Sequence, residues 1–476
     1  MNTRTLLPLL ACTALCACTV GPRFKRPAPP RTEAYLTPRE QAEAQSPQLA
    51  ERLVFGAAPP ARWWTQFDSP ELDALIERAV AANHTLAAAR ARLAEARELV
   101  KAQEGARFPQ VDLVAGAGRQ KYGKEFLGSL FVLPPFSYTA AGAAVSYTLD
   151  YVGGVARTVE QRRALAQYQR SETDATYLAL TGSVVTQAMG AAAARAEIAA
   201  IAALVKEDRD NLRLVRTAYA AGSVSRVDVL TAESQLSSDE TLLPPVRQRL
   251  AQALHAVAVL LGEAPSSGTG RPLELASLKL PRELPVSLPS AVARRRPDIL
   301  AAEAQLHAAT AAVGIATAQL YPQITLTATG GYQSLPFQQL FTTANGVWSL
   351  IGGLTAPVFH GGTLRAERRA SIDELRASSE DYQQVVLEAF GQIADLLDAL
   401  SHDSQLVAAQ SKALAAAQSN AELARESYSA GNSGLLEVID AERRRLAAQI
   451  GLVRAQAEQY VDTAQLYLAL GGGPLK

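Results

Sequence analysis

Beyond residue 18 the chain has no cysteine: its three thiols, Cys12, Cys16 and Cys18, all lie near the N-terminus. The rest of the chain therefore has no disulfide framework and no Cys-based zinc or redox centre. Excess charge is missing too. With 46 basic against 46 acidic residues, no strong field draws nucleic acid or an anionic membrane surface. Only 6% of the residues are aromatic, and alanine fills long segments instead. That composition suits close packing of helix on helix better than a core rich in Phe and Leu. The five histidines, His84, His255, His307, His360 and His402, are scattered, none with a second His or Cys at metal-ligand spacing. No Walker loop, HExxH or dinucleotide fingerprint occurs. The sequence thus predicts no enzyme, no metal and no cofactor. After the N-terminus it also lacks an uninterrupted apolar run of the roughly 18 residues that span a bilayer as a helix. Ala188 to Val205 comes nearest, and Arg195 and Glu197 interrupt it. A membrane crossing would have to use strands.

What is present begins with a basic n-region, Met1 to Arg4, and an apolar h-region, Thr5 to Ala17, which read as a signal peptide over 1–17. Leu15-Cys16-Ala17-Cys18 resembles a bacterial lipobox, making Cys18 the predicted carrier of a covalent lipid. Cys12, after Leu9-Leu10-Ala11, is the rival site with a shorter h-region, and cleavage without lipidation is a third reading. Thr19 stands where an Asp would, by the same likeness, favour inner-membrane retention, so the outer membrane is expected. Residues 18–68 form an extended arm in which Pro22, Pro27, Pro29, Pro30, Pro38, Pro47, Pro59 and Pro60 forbid a long helix. It either lies against the body or tethers it. Trp63-Trp64 closes the arm as an expected buried anchor.

The body is a duplicated unit. Tyr219 and Tyr428, Gly222 and Gly431, and Glu233 and Glu442 are each 209 residues apart (428 − 219, 431 − 222, 442 − 233). The repeats run over 69–262 and 289–471, joined by a Pro- and Gly-containing crossover at 263–288 and followed by a short tail at 472–476. Each opens with a helix that stops at a Pro break, Phe108-Pro109 or Tyr321-Pro322. Period-two segments follow, predicting β-hairpins over 111–150 and 324–359. Ile324, Leu326, Ala328 and Tyr332 share one face, Thr325, Thr327 and Thr329 the other; Val145, Tyr147 and Leu149, and Trp348, Leu350 and Leu354, also line single faces. Alternation at this length is the pattern of membrane strands. Four strands cannot close a barrel, because open edges in lipid leave unpaired backbone groups, so membrane strands here require several copies of the chain.

Long helices come next. Tyr177, Val184, Ala191, Ile198, Val205, Leu212 and Tyr219 recur every seven residues, as do Val386, Ile393, Leu400, Val407, Leu414, Ala421 and Tyr428. Such a repeat predicts supercoiled helical hairpins of about 100 Å that turn at Gly222 and Gly431. Pro244-Pro245 should interrupt the first return helix; the second has no such pair. Near the second turn, Asp440 and Arg443 stand i, i+3 on one face, whereas Thr231 occupies the first repeat's position for Asp440. They form either an ordinary intrahelical pair or, at a symmetry axis, an acidic ring. Arg294-Arg295-Arg296 reads as a solvated face.

Cys18-Thr19-Val20-Gly21-Pro22, Trp63-Trp64 with Phe67, Arg296-Pro297-Asp298-Ile299 with Ala302-Glu303, Tyr321-Pro322 and the two turns resemble the TolC-type outer-membrane efflux proteins, in their lipoprotein branch. The likeness covers essentially the whole chain. It implies an α+β membrane protein: a homotrimer whose four strands per subunit build a twelve-stranded β-barrel in the outer membrane of a Gram-negative bacterium. The barrel would continue into a periplasmic α-barrel of coiled-coil hairpins. The resemblance further implies a passive exit duct for small toxic compounds, worked with a periplasmic adaptor and an inner-membrane transporter. Asp440 and Arg443 then match a periplasmic gate, and Gly222 and Gly431 the adaptor-contacting tips. A duct for protein or peptide secretion and a poreless periplasmic scaffold are the alternatives.

Overall fold

The computed structural model describes residues 19–28, 32, 34–44, 52–123, 134–267 and 273–472. Cys12, Cys16 and Cys18 lie outside the described residues. The arm contains α1 (Pro38–Ala44) and β1 (Arg52–Phe55). The first repeat runs α2 (Pro70–Ala82), α3 (His84–Gly105), β2 (Gln110–Gln120), β3 (Phe136–Leu149), α4 (Gly154–Ala220), α5 (Arg226–Glu240) and α6 (Leu243–Leu260). After β4 (Glu283–Val286) in the crossover, the second repeat runs α7 (Pro289–Val292), α8 (Pro297–Ala318), β5 (Gln323–Ser334), β6 (Gly346–Thr355), α9 (Thr363–Ser429) and α10 (Leu435–Ala469). The chain divides into two compact units, each drawing on both repeats.

One unit comprises residues 1–27, 92–169 and 301–382. Its centre is an antiparallel sheet in the order β2-β3-β5-β6, so β2 and β6 each have a single neighbour. The register brings Val111 opposite Val145, Val145 opposite Ala328, and Ala328 opposite Leu350. With a side-chain period of two, this places Leu113, Tyr147, Leu149, Ile324, Leu326, Trp348, Leu350 and Leu354 on one face. Gly116, Gly142, Ser146, Thr325, Thr327 and Ser349 fall on the other, which is mostly small and polar but also carries Val114, Val347 and Ile351. The apolar face is bare in the single chain: Leu113 is 89% exposed, Trp348 83% and Leu350 72%. The β2–β3 pair Gln110↔Ser146 recurs as the β5–β6 pair Gln323↔Thr355, at offsets of 213 (323 − 110) and 209 (355 − 146).

The arm's described start lies against this same unit. Val20 donates its backbone N–H to Val152, and the buried Arg157 guanidinium donates to the carbonyls of Val20 and Gly21 and to Glu160. Phe24 stacks on His307 at 4.2 Å, His307 Nε2 sits 3.0 Å from Glu160, and Arg26 reaches Glu303 at 2.8 Å. Residues 20–26 are therefore docked rather than free.

The other unit comprises 28–91, 170–300 and 383–476. Here β1 and β4 pair in parallel, Arg52↔Glu283 to Phe55↔Val286. Trp63, Trp64 and Phe67 are buried, with Trp63 stacked on Tyr467 at 5.6 Å, which is the anchoring role expected of the Trp pair. Ser69 caps α2 by accepting from the Leu72 N–H, with Pro70 in the first turn.

The long helices α4 and α9 are 67 residues each, about 100 Å of helix. Within the seven-residue stripe Val184, Ala191, Val205, Leu212, Val386, Ile393 and Leu400 are buried, while Tyr219 and Tyr428 beside the turns are exposed. The 18-residue stretches of α4 and α8 that are apolar enough to cross a membrane are more than half buried in the chain itself, as core helices are. The first return helix breaks at Thr241–Leu242, and Pro244 sits in the opening turn of α6, where a missing N–H costs nothing. The second return helix, α10, is continuous over 35 residues.

The solvated-face reading of the Arg run holds for Arg294 and Arg295 only. Arg296 is 13% exposed; its Nε meets both oxygens of Asp298 at 2.9 Å, Nη1 donates to the Ala469 carbonyl at 3.0 Å, and Nη2 donates to Gln392 at 2.6 Å. Ala469 ends α10, where carbonyls lack helical partners and attract a cation.

Candidate functional site

Both hairpin turns use one device twice. Gly222 lies at φ +72 and donates to Tyr219, and Ser223 donates to Ala218; Gly431 lies at φ +75 and donates to Tyr428, and Asn432 donates to Ser427. This paired closure needs a left-handed residue after the last helical turn, which glycine adopts without a Cβ penalty. Behind each turn an ion pair ties the outgoing helix to the return helix: Arg216 to Glu233 at 2.8 Å, and its counterpart Arg425 to Glu442. Tyr219, Val227 and Leu230 at the first tip, and Tyr428 and Leu436 at the second, are exposed apolar side chains.

The tips then diverge. The first return helix starts on a capping box, in which Ser225 Oγ accepts from the Asp228 N–H and the Asp228 carboxylate accepts from the Ser225 N–H at 2.8 Å. Those hydrogen bonds hold the Asp228 carboxyl below the usual range. The second starts on Gly434 with no side-chain cap. Thr231 turns its hydroxyl back onto the Val227 carbonyl at 2.9 Å and offers no charge.

Asp440 and Arg443 do not pair. Asp440 is exposed and bonds Arg444 at 2.6 Å, one turn further along α10. An i+4 residue lies about 40° round the helix from its partner and i+3 about 60°, so the closer neighbour takes the carboxylate. Arg443 instead leaves its own hairpin and reaches Asp239 on α5 at 3.3 Å. Asp239 is 4% exposed; it also accepts from Gln235 at 2.7 Å and meets Asp208 of α4, itself 3% exposed. Burial, then the hydrogen bond and charge of Asp239, push Asp208 up to about 7, against the opposing pull of Arg443. A second crossing of this kind is built on Glu197, 2% exposed on α4, which receives Arg249 of α6 at 2.7 Å and Arg454 of α10. It stands beside a cluster of Ala194, Ile201, Val205, Val246 and Ile450.

Sequence reasoning singled out Asp440, Arg443, Gly222 and Gly431, and missed Asp208, Asp239 and Glu197. One signal for Asp208 was available. It falls three residues after Val205, in the second inward position of the heptad, where its neighbours Ala194, Ile201 and Val215 are buried apolar residues. An acid in that seam needs a partner. Among the described residues no group of His, Cys, Asp and Glu is arranged to hold a metal ion.

Comparison with known proteins bears on what such a body does. Residues 75–263 and 288–472 each match the outer membrane efflux protein family, one match per repeat. The chain is 33% identical over 422 residues to the pyoverdine export outer membrane protein OpmQ of Pseudomonas aeruginosa, covering 87% of each chain. It is 28% identical over 481 residues to the cation efflux system protein CusC of Escherichia coli K12, covering 99% of this chain and 100% of that one. The structure of the outer-membrane channel OprN superposes with a TM-score of 0.84 at 27% identity, over 96% of this chain and 99% of that one. Two helical hairpins and a bare four-stranded sheet per chain, in two family-matching repeats, make this chain a member of the outer membrane efflux protein family, an outer-membrane channel of TolC type.

Proposed function

We propose that three copies of the chain form a passive exit duct for small toxic compounds, closed at its periplasmic tip until an adaptor coupled to an inner-membrane transporter docks there. The observation that carries this reading is the sheet: one face carries large apolar side chains on all four strands, the other mostly small and polar ones, and both edges are unpaired among the described residues. A closed barrel of several copies turns the apolar face to lipid, lines its lumen mostly with small and polar residues, and leaves no edge. Export by the relatives named for pyoverdine and for cations supports small solutes as cargo. The exposed apolar tips at Tyr219, Val227, Leu230, Tyr428 and Leu436 suit a helical partner. Gly222 and Gly431 fix where they stand, and a lipid on Cys18 would add an anchor next to the docked arm. Asp440, exposed and present in the second repeat alone, supplies one carboxylate per subunit for a ring at the constriction, while Arg443 ties α10 to Asp239 on α5. Purified protein in a planar lipid bilayer tests the reading: small, rare cation-favouring conductance steps are expected from the tip-closed pore and larger ones from Asp440→Ala, and a folded trimer that forms no pore under any condition, Asp440→Ala included, refutes it.

A further inference from the structure

The buried acids of the hairpins are not a legacy of the duplication. Asp208 and Asp239 face each other between α4 and α5, and adding 209 to each position gives Ala417 and Ala448. A second pair, Asp403 on α9 and Asp462 on α10, faces across the other hairpin, and subtracting 209 gives Ala194 and Ala253. Each repeat thus carries one carboxyl pair between its outgoing and return helices, where the sister repeat carries two alanines. Asp403, like Asp208, lies in the inward heptad position, three residues after Leu400, and is buried. Two carboxyl groups in such a seam hold together when one is protonated and donates to the other; when both are ionised they repel across a gap that water scarcely enters.

The surroundings decide how the charge is shared. Facing Asp208 and Asp239 are Glu207 of α4, Gln235 of α5 and Arg443 of α10, so one cation serves two carboxyls with a third acid nearby. One Asp208 oxygen accepts from no donor in its buried site. Facing Asp403 are Asp462 and Glu458 of α10 and His402 of α9. Burial and the neighbouring acids push Asp208 and Asp403 up to about 7, so both change charge in the physiological range.

We propose that the Asp208–Asp239 pair is a proton-operated clasp: with its proton on, Asp208 joins α4 to α5 and steadies Asp239 under Arg443, and losing that proton loosens the first hairpin beside the turn bearing Asp440. The link to the turn rests on the gate reading above; the clasp itself does not.

The thiol-free body permits a direct test. Lys206→Cys on α4 and Ser237→Cys on α5, both at exposed positions flanking the pair, carry spin labels whose separation is measured by double electron–electron resonance. Between about pH 5.5 and about pH 8.5 the ionised fraction of a group titrating near 7 rises roughly thirty-fold. A single narrow distance is expected at the lower pH and a second, longer population at the higher. Asp208→Asn, which donates a hydrogen bond without ever ionising, keeps the narrow distance at both. Identical distributions for the unsubstituted chain at the two pH values overturn the clasp, as does an Asp208→Asn chain that still broadens with pH. In bilayers, conductance that rises with pH and loses that rise in Asp208→Asn supports the link to the turn. A pore indifferent to pH in both refutes that link, and a chain that forms no pore refutes the channel reading while the distances still judge the clasp.

Discussion

Replacing Arg296 with alanine tests whether one side chain fastens the end of the second repeat. The guanidinium gives two bonds to Asp298, one to the carbonyl of Ala469 at the end of α10, one to Gln392 of α9 and a longer one to the Ala389 carbonyl at 3.4 Å. Hydrogen bonds from a charged donor contribute about 1.5–3 kcal/mol each when buried, but they are not additive. Asp298 is 44% exposed on its side chain, so water replaces much of that pair. The Ala469 bond satisfies a helix-end carbonyl and weighs most. We expect a net loss of about 3 kcal/mol. At about 2.1 cal/mol/K of unfolding entropy per residue, a chain of 476 residues melts about 1 °C lower for each kcal/mol, or about 3 °C in all. Arg296→Lys keeps the charge but not the planar fork, and should recover less than half. Far-UV circular dichroism melting of detergent-solubilised protein measures both. A shift below about 1 °C for Arg296→Ala would show that the charge run is a solvated face after all.

Asp440→Ala should raise single-channel conductance or leak by about two-fold or more, and Thr231→Ala by far less, because Thr231 puts no charge at the matching turn; equal effects in bilayer recordings would remove the gate from that position. Asp403 gives a pH prediction. Its folded-state value near 7 lies above the 3.8 of a free Asp, so its stabilising contribution is full below about pH 4 and is lost as pH rises to 7. The melting temperature of the unsubstituted chain should therefore fall across that window, and Asp403→Asn should fall less; parallel curves would place the titration elsewhere.

The duplication, the strand faces and the two turns were legible because each is written as a period or a repeated residue. Period two in ITLTATGGY put Ile324 and Leu326 together before any register was known, and the sheet pairs them with Leu354 and Tyr147 on that same face. Tertiary contacts were not legible. Arg443 and Asp440 share a helix face, yet the partner that Arg443 takes is on another hairpin, and nothing local encodes that distance. Arg296 reads as one of three identical charges; only the end of α10 distinguishes it. Asp208 and Asp403 stand in the second inward position of the heptad, whose buried apolar neighbours mark the seam but not the partner that an acid there takes.

The β3–β5 join also has something to say about neighbours. It is the one seam in the sheet where two repeats meet, and the offsets that map β2 onto β5 and β3 onto β6 carry it outside the chain. In the proposed assembly Val145↔Ala328 would be matched by Leu354 of one copy beside Ala115 of the next, and Gly142↔Gly331 by Ile351 beside Gly118 (145 + 209 and 328 − 213; 142 + 209 and 331 − 213). In the proposed trimer the wall then has six like seams, three written within chains and three between them. Such a ring would obey a sixfold rhythm while its subunits count only three, and the genetic fusion of two repeats would be invisible from the lumen.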